Sequence, residues 1–242
     1  MTLKRQTFFV TAALISLLLN RCSTAADTFQ NPSREPVRFG DKGPVLTYVV
    51  MGDSTAAGQG APYAQGIAVG TATALATGHR VTMTNLGVSG ARINDVVNDQ
   101  VAASVRLHPD LVLLSVGAND VTHLSSVAGM ESNLLRIVHA LKTANPAVAI
   151  VVTGSPDMGS PPRIPLLLRG LASRRTEAIN RVFRKVAADE HLTFAPIAEM
   201  TGPIFRQDRS LFADDRFHPN VRGYATWIRV LNEAIARAIP GR

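Results

Sequence analysis

Residues Tyr48 to Gly58 have the sequence YVVMGDSTAAG, and this stretch decides the fold. Its first half has the apolar composition of a buried strand, and its second half is a turn of small residues. The hydroxyl of Ser54 stands directly after the strand. Parallel α/β sheets carry their chemistry at the carboxyl ends of the strands, so this position makes Ser54 a candidate nucleophile. Small residues also serve turns and helix caps, so Ser54 decides nothing alone.

Similar apolar runs recur on both sides of this stretch and alternate with helix-compatible segments. Near-continuous apolar strands separated by helices are typical of a parallel sheet that is covered on both faces. We therefore expect an α/β fold. The predicted strands are Val45–Met51, Val81–Leu86, Leu111–Val116, Ala147–Val152 and, more weakly, Leu192–Ile197. The clearest predicted helix face carries Leu134, Leu135, Val138 and Leu141.

The composition fits one folded domain. The chain has 242 residues, of which 46% are hydrophobic and 18% are charged, too few charges for a disordered protein. A net charge of +7 raises the question of nucleic-acid binding. The basic residues are scattered and no aromatic-rich binding motif accompanies them, so no nucleic-acid partner is expected. The charge suits contact with an anionic membrane or cell wall, or it serves solubility alone.

The first 26 residues have the pattern of a secretory signal peptide. Lys4 and Arg5 precede an apolar stretch, Phe8 to Leu19, which is too short for a membrane span. Small residues run up to Ala26, so we expect cleavage there and an exported protein. An uncleaved anchor is the second interpretation, and a lipoprotein modified at Cys22 is the third. Removal of residues 1–26 would take away three cations and no acid, which lowers the net charge from +7 to +4.

The domain boundaries follow from the same patterns. Residues 27–44 contain scattered prolines and glycines without a periodic apolar pattern, which predicts a linker or surface arm. The alternating pattern begins at Val45, so residues 45–242 are predicted to form the folded domain.

Two further polar sites follow the second and third predicted strands. Gly90 lies in the segment after the second strand, and Asn119 lies in the sequence GAND, residues 117–120, after the third. The carboxyl ends of parallel strands lie along one edge of a sheet, so these residues can converge on Ser54. The Gly90 N–H and the Asn119 amide can donate to an oxygen that becomes negative in a transition state. Considered alone, Gly90 would ordinarily serve a tight turn, and Asn119 a turn or a helix cap.

The segment DDRFHPN, residues 214–220, supplies the remaining chemistry. A carboxylate three residues before a histidine can hold one ring nitrogen and leave the other facing a serine. Asp215 and His218 have this spacing, while Asp214 is a less favoured orienting carboxylate. The other five histidines have ordinary structural interpretations. No spacing of His, Cys or acidic residues indicates a metal site, and no glycine-rich fingerprint indicates a nucleotide, so no metal or cofactor is expected.

These four blocks in this order resemble the SGNH hydrolase superfamily, also called GDSL-type esterases and lipases. The resemblance covers Val45 to the C terminus, essentially the whole predicted mature domain. It implies a flavodoxin-like three-layer α/β/α fold with about five parallel strands. Thr55 departs from the pattern, because leucine is common there, but it lies outside the nucleophile. The matching blocks are Gly52 to Ser54, Gly90, Gly117 to Asp120 and Asp215 to His218.

The resemblance also implies a role for each site residue. Ser54 would be the nucleophile, His218 the base and Asp215 its orienting carboxylate. The backbone N–H groups of Ser54 and Gly90, with the Asn119 side chain, would form the oxyanion hole. The implied reaction is hydrolysis of a carboxylic ester, from a lipid or an acylated sugar, through an acyl-serine and without a cofactor.

A binding protein on the same scaffold is the competing interpretation. A non-catalytic exported surface or binding protein would be expected to lack one of the five site residues, and none is missing. The oligomeric state is left open.

The segment from Gly154 to Gly170 follows the fourth predicted strand and is unusually long for a connection inside a compact domain. We hypothesise that Leu166, Leu167 and Leu168 form a flap that adds apolar surface to an acyl pocket. The neighbouring arginines would then face solvent or anionic lipid. The alternative is a peripheral loop whose leucines pack on the nearest helix.

Overall fold

The computed structural model describes residues 29–240, so the predicted signal segment lies outside the described residues. The strands are β1 (Val37–Phe39), β2 (Val45–Gly52), β3 (Arg80–Asn85), β4 (Leu111–Ser115), β5 (Ala149–Val152) and β6 (Thr193–Phe194). They form one sheet with the order β1-β3-β2-β4-β5-β6. The five strands from β2 to β6 are parallel to their neighbours, in the strand order of a flavodoxin-like fold. The predicted fold is therefore confirmed.

The edge strand β1 was not predicted. It lies within residues 27–44, where we expected a linker or arm, and it pairs antiparallel with β3 through the register Val37 to Met83. An antiparallel edge strand on a parallel sheet is common in large α/β sheets. Only three residues pair, and that length is too short to give a periodic apolar pattern.

Helices cover both faces of the sheet and explain the continuous apolar composition of β2. Tyr48 and Val50 pack into one core, and Val49 and Met51 pack into the core on the opposite face. All four side chains are buried, because successive strand residues point to opposite faces. The helices are α1 (Ser54–Ala57), α2 (Ile67–Leu75), α3 (Ile93–Asp99), α4 (Val101–Arg106), α5 (Ala118–Thr122), α6 (Val127–Ala144), α7 (Leu166–Asp189), α8 (Ile197–Gln207) and α9 (Val221–Ala238).

The helix layers follow the predicted periodicity with one exception. Helices α2 and α9 cover one face of the sheet, and α3, α6 and α7 cover the other. Leu134, Val138 and Leu141 of α6 are buried as predicted, whereas Leu135 is exposed at the border of the apolar stripe. Within residues 29–240, none of the helices has the length and apolar composition that a membrane span requires.

Helix α7 begins four residues earlier than the predicted connection would end. Pro165 directly precedes the first helical residue, where its fixed φ of −54° and its missing N–H do not oppose the start of a helix. Leu166, Leu167 and Leu168 are consequently helical rather than part of a loop.

Candidate active site

The turn after β2 presents Ser54 because Gly52 allows two strands to approach closely. Gly52 has φ 140°, and a Cβ there would lie 1.8 Å from the Ser115 carbonyl oxygen of β4. The buried side chain of Gln100 holds this turn, since its Oε1 accepts from the Gly52 N–H and its Nε2 donates to the Gly52 carbonyl, both at 2.8 Å. Asp53 then caps α1, whose first residue is Ser54. Sequence reasoning missed Gln100, because nothing in its neighbourhood marks it.

A tight loop between α8 and α9 positions His218. Phe212 and Pro219 form a β-bridge across it, and the Ala213 N–H donates to the His218 carbonyl at 2.8 Å. Arg216 adopts a left-handed φ of 58°, uncommon for a residue with a side chain, at the tip of the loop. The chain therefore reverses between Asp215 and His218 and brings their side chains to the same side.

Asp215, His218 and Ser54 form a continuous line of hydrogen bonds. Asp215 Oδ2 contacts His218 Nδ1, and His218 Nε2 lies 2.9 Å from Ser54 Oγ. Asp215 Oδ1 accepts from the backbone N–H groups of Phe217 at 2.9 Å and His218 at 3.0 Å. Burial raises the pKa of Asp215, but the His218 side chain and the two N–H donors outweigh it and hold that pKa below its usual value.

Asp214 makes no comparable contact. Its side chain is exposed, on the outer side of the loop that carries Asp215. The structure therefore brings together the three residues Ser54, Asp215 and His218, and it leaves Asp214 aside.

Two of the three proposed oxyanion donors, Gly90 and Asn119, lie on segments that are hydrogen-bonded to each other. Asn119 Nδ2 donates to the Ala91 carbonyl at 3.0 Å, and Asp120 Oδ2 accepts from the Ile93 N–H at 3.0 Å. These bonds fasten the Gly90 segment to α5, and Gly90 itself has φ 84°. An amide NH₂ group has two hydrogens, so Asn119 keeps one donor for a ligand. Within residues 29–240, the Ser54 and Gly90 N–H groups make no hydrogen bond to the protein.

Asp53 is a buried carboxyl beside this site. Its Oδ1 accepts from the Thr55 N–H at 2.9 Å and the Thr55 hydroxyl at 2.8 Å, while its Oδ2 is buried and has no partner among the described residues. Burial raises the pKa of Asp53 to about 6, although the Thr55 donors and the nearby His218 oppose the shift.

An apolar pocket opens next to Ser54 and His218. Its volume is about 30 Å³, roughly two to three times the minimum that holds a water molecule. The buried Asp157 lies in its wall, and an ion pair with Arg206 at 2.6 Å neutralises that carboxylate. The apolar lining consists of Met158, Phe205, Phe212, Phe217 and Trp227.

The three leucines of the proposed flap lie elsewhere. Leu166 is 77% exposed and Leu167 is 95% exposed on the first turn of α7. Leu168 lines a separate shallow depression between α5 and α7, together with Leu124 and Leu171. None of the three belongs to the wall of the pocket next to Ser54. All three residues belong to the first turn of α7 instead of a loop over the pocket.

The described part of the chain, residues 29–240, contains no group of three His, Cys, Asp or Glu residues that could hold a metal ion. A serine, a histidine and a carboxylate in line at the switch point of a doubly wound sheet form the arrangement of a serine hydrolase.

Comparison with known proteins agrees with this class. Residues 50–226 match the model of the GDSL-like lipase/acylhydrolase family, and the chain belongs to that family. It is 31% identical over 198 residues to the GDSL-like esterase Rv1075c of Mycobacterium tuberculosis, a match that covers 79% of this chain and 62% of the relative. The chain thus spans less than two thirds of that relative's length.

Solved structures support the fold. TesA is 21% identical with a TM-score of 0.67, and the match covers 80% of this chain and 99% of TesA. Axe2, an acetylxylan esterase from Geobacillus stearothermophilus, is 20% identical with a TM-score of 0.56, and the match covers 83% of this chain and 97% of Axe2.

Proposed function

We propose that this protein hydrolyses carboxylic esters through a Ser54, His218 and Asp215 triad and an acyl-serine intermediate. The observation that carries the proposal is the distance of 2.9 Å between His218 Nε2 and Ser54 Oγ, with Asp215 on the other ring nitrogen. A base within hydrogen-bond reach of a serine, itself oriented by a third group, is what an activated serine requires.

The reaction would proceed in two steps. His218 Nε2 takes the proton of Ser54 as Oγ attacks the ester carbonyl, and the oxygen becomes negative. The N–H groups of Ser54 and Gly90 and the free hydrogen of the Asn119 amide would stabilise that charge. His218 then gives its proton to the leaving alcohol, which leaves an acyl-serine. Water attacks this ester with His218 again as base, and the acid is released.

The pocket next to Ser54 supports a short acyl group. A volume of about 30 Å³ suits the first carbons of an acyl chain, and each buried methylene contributes about 0.8 kcal/mol to binding. Esters of acetate or another short acid, carried by a lipid or by a sugar, are the substrates that we propose. The fold shared with an acetylxylan esterase is a reason to include acetylated sugars in the test.

A panel of p-nitrophenyl esters of rising chain length, measured beside acetylated sugars, tests this proposal. We expect the highest kcat/KM with the shortest acyl chains and no turnover above background by Ser54→Ala. Undiminished turnover by Ser54→Ala would overturn the proposed nucleophile. A steady rise of kcat/KM with chain length would instead show that another surface binds the acyl group.

We also propose that the protein is exported through its first 26 residues. Lys4 and Arg5, the apolar stretch after them and the small residues up to Ala26 support this proposal. N-terminal sequencing of the protein from its native host should find a chain that begins near Asp27. An intact Met1 in a cytosolic fraction would contradict export, and lipid on Cys22 would favour the lipoprotein interpretation.

A further inference from the structure

The first turn of α7 carries the most exposed large apolar side chains in the described part of the chain. Leu167 is 95% exposed, Leu166 is 77% exposed and Leu171, one turn later, is 41% exposed. Singly exposed leucines are normal on protein surfaces. These three lie within six consecutive residues of one helix, and Leu171 also lines the apolar depression that contains Leu124, Ile164 and Leu168.

Arginines are concentrated in the sequence around these leucines. Residues 158–176 contain four arginines and no acidic residue. Arg169 is fixed beside the leucines, since its Nε donates to the Ile164 carbonyl at 3.0 Å and its Nη2 to the Pro162 carbonyl at 3.2 Å. Arg174 is exposed on the same helix. The positive end of the α7 dipole adds to the positive charge of these arginines at the first turn of the helix.

We propose that the leucines Leu166, Leu167 and Leu171 with the arginines Arg163, Arg169 and Arg174, here called the docking turn, bind the surface of an anionic lipid membrane. Apolar side chains that enter the boundary between headgroups and acyl chains, surrounded by basic residues, are the features that hold a helix at such a surface. A second copy of this chain is a poor occupant, because a symmetric contact would bring the arginines of both copies together.

The docking turn is joined to the active-site loop. The Arg163 N–H donates to the Arg216 carbonyl at 3.0 Å, and its guanidinium lies 5.7 Å from the centre of the Phe217 ring. The Phe217 ring in turn lies 5.1 Å from the His218 imidazole, edge to face. Phe217 also lines the pocket next to Ser54. Docking at this turn would therefore bring the pocket close to the membrane, where an ester embedded in the lipid could reach Ser54.

Vesicle binding tests the docking turn separately from ester hydrolysis, because it is measured on the proposed mature chain, which begins at Asp27 and lacks the apolar stretch Phe8 to Leu19, carrying Ser54→Ala. We expect this protein to bind phosphatidylcholine vesicles more tightly when they contain phosphatidylglycerol, and less tightly as salt is added. The double change Leu166→Ser and Leu167→Ser should weaken binding about tenfold or more, because two leucines no longer enter the lipid. Arg174→Gln should weaken binding to anionic vesicles about fivefold.

Matched controls lie away from the docking turn. Val45 is 61% exposed at the amino end of β2, and Arg38 is exposed on β1. Val45→Ser and Arg38→Gln should leave vesicle binding unchanged. Equal binding by the double leucine variant and its parent would overturn the proposal.

A fluorescent label locates the contact directly. In the proposed mature chain from Asp27, which contains no cysteine, an environment-sensitive dye is attached through Leu167→Cys, or through Val45→Cys as the control. Anionic vesicles should shift the emission of the dye at position 167 to the blue and leave position 45 unchanged. The absence of a shift at position 167 would refute membrane docking by this turn. If the emission at position 167 shifted to the blue without vesicles, on raising the protein concentration alone, the turn would be a self-association surface, and membrane docking would equally be refuted.

Discussion

Replacing Asp215 by asparagine should separate the chemistry of the triad from its geometry. Asparagine keeps an oxygen that can accept from the Phe217 and His218 N–H groups, so the loop should hold its shape. Its NH₂ group would face His218 Nδ1, where the carboxylate oxygen now lies. A donor in that position makes Nδ1 the acceptor and moves the ring proton to Nε2. Nε2 then cannot take the proton of Ser54, although it still lies 2.9 Å from Ser54 Oγ in the native arrangement.

The expected loss is large in rate and small in stability. The wrong tautomer of a triad histidine lowers kcat by about 10⁴, which corresponds to about 5.5 kcal/mol of transition-state stabilisation. The free energy of unfolding should change by only about 1 kcal/mol, because the two backbone hydrogen bonds to position 215 survive.

Steady-state hydrolysis of p-nitrophenyl acetate, beside thermal unfolding of each variant, measures both quantities. Asp214→Asn is the matched control, since it removes one carboxylate from the same loop at an exposed position. We expect Asp214→Asn to keep most of the activity. Wild-type kcat in Asp215→Asn, or an equal loss in both variants, would refute the assignment of Asp215 as the orienting carboxylate.

Three further changes test the surroundings of the triad. Gln100→Ala should lower the free energy of unfolding by about 1–3 kcal/mol and reduce kcat, because the Gly52 N–H loses its side-chain partner and the Gly52 carbonyl keeps only the Val88 N–H; an unchanged melting temperature in thermal unfolding would contradict this. Burial raises the pKa of Asp53 to about 6. The protonated carboxyl therefore stabilises the folded state by at most about 3 kcal/mol at a pH below the unfolded pKa, and this stabilisation is lost as the pH rises through about 6. The melting temperature of Asp53→Asn relative to wild type should therefore rise between pH 4 and pH 7, and a constant difference would contradict the shifted pKa. Phe205→Leu should enlarge the pocket and raise the ratio of kcat/KM for butyrate over acetate, and an unchanged ratio would place the acyl group elsewhere.

The sequence predicts the sheet well, and it singles out Ser54, Asp215 and His218, which the structure brings together, because both depend on local patterns. Buried parallel strands have to be apolar on both faces, so β2 and β4 are visible as continuous apolar runs. Because the strands are parallel, their carboxyl ends lie along one edge of the sheet, and no knowledge of distant contacts is needed to predict this. The three-residue spacing between Asp215 and His218 needs only a tight loop, and the structure provides one.

The features that the sequence did not predict depend on contacts between distant segments. The pocket wall combines Met158, Phe205 and Trp227 from separate elements. In the sequence each of them looks like an ordinary residue of a hydrophobic core. Gln100 acts on Gly52 across 48 positions of the chain. The flap at Leu166 to Leu168 was predicted from the unusual length of the connection. That prediction is wrong because helix α7 begins directly after Pro165, so the three leucines are helical.

Labelling with a fluorophosphonate, followed by mass spectrometry of the digested protein, tests the central claim most directly. The reagent reacts covalently only with a serine that a neighbouring base activates. We expect one modified peptide, carrying the label on Ser54, and no labelling of Ser54→Ala or of the heat-unfolded wild type. Label on another serine, or equal labelling of wild type and Ser54→Ala, would contradict the assignment of Ser54 as the nucleophile.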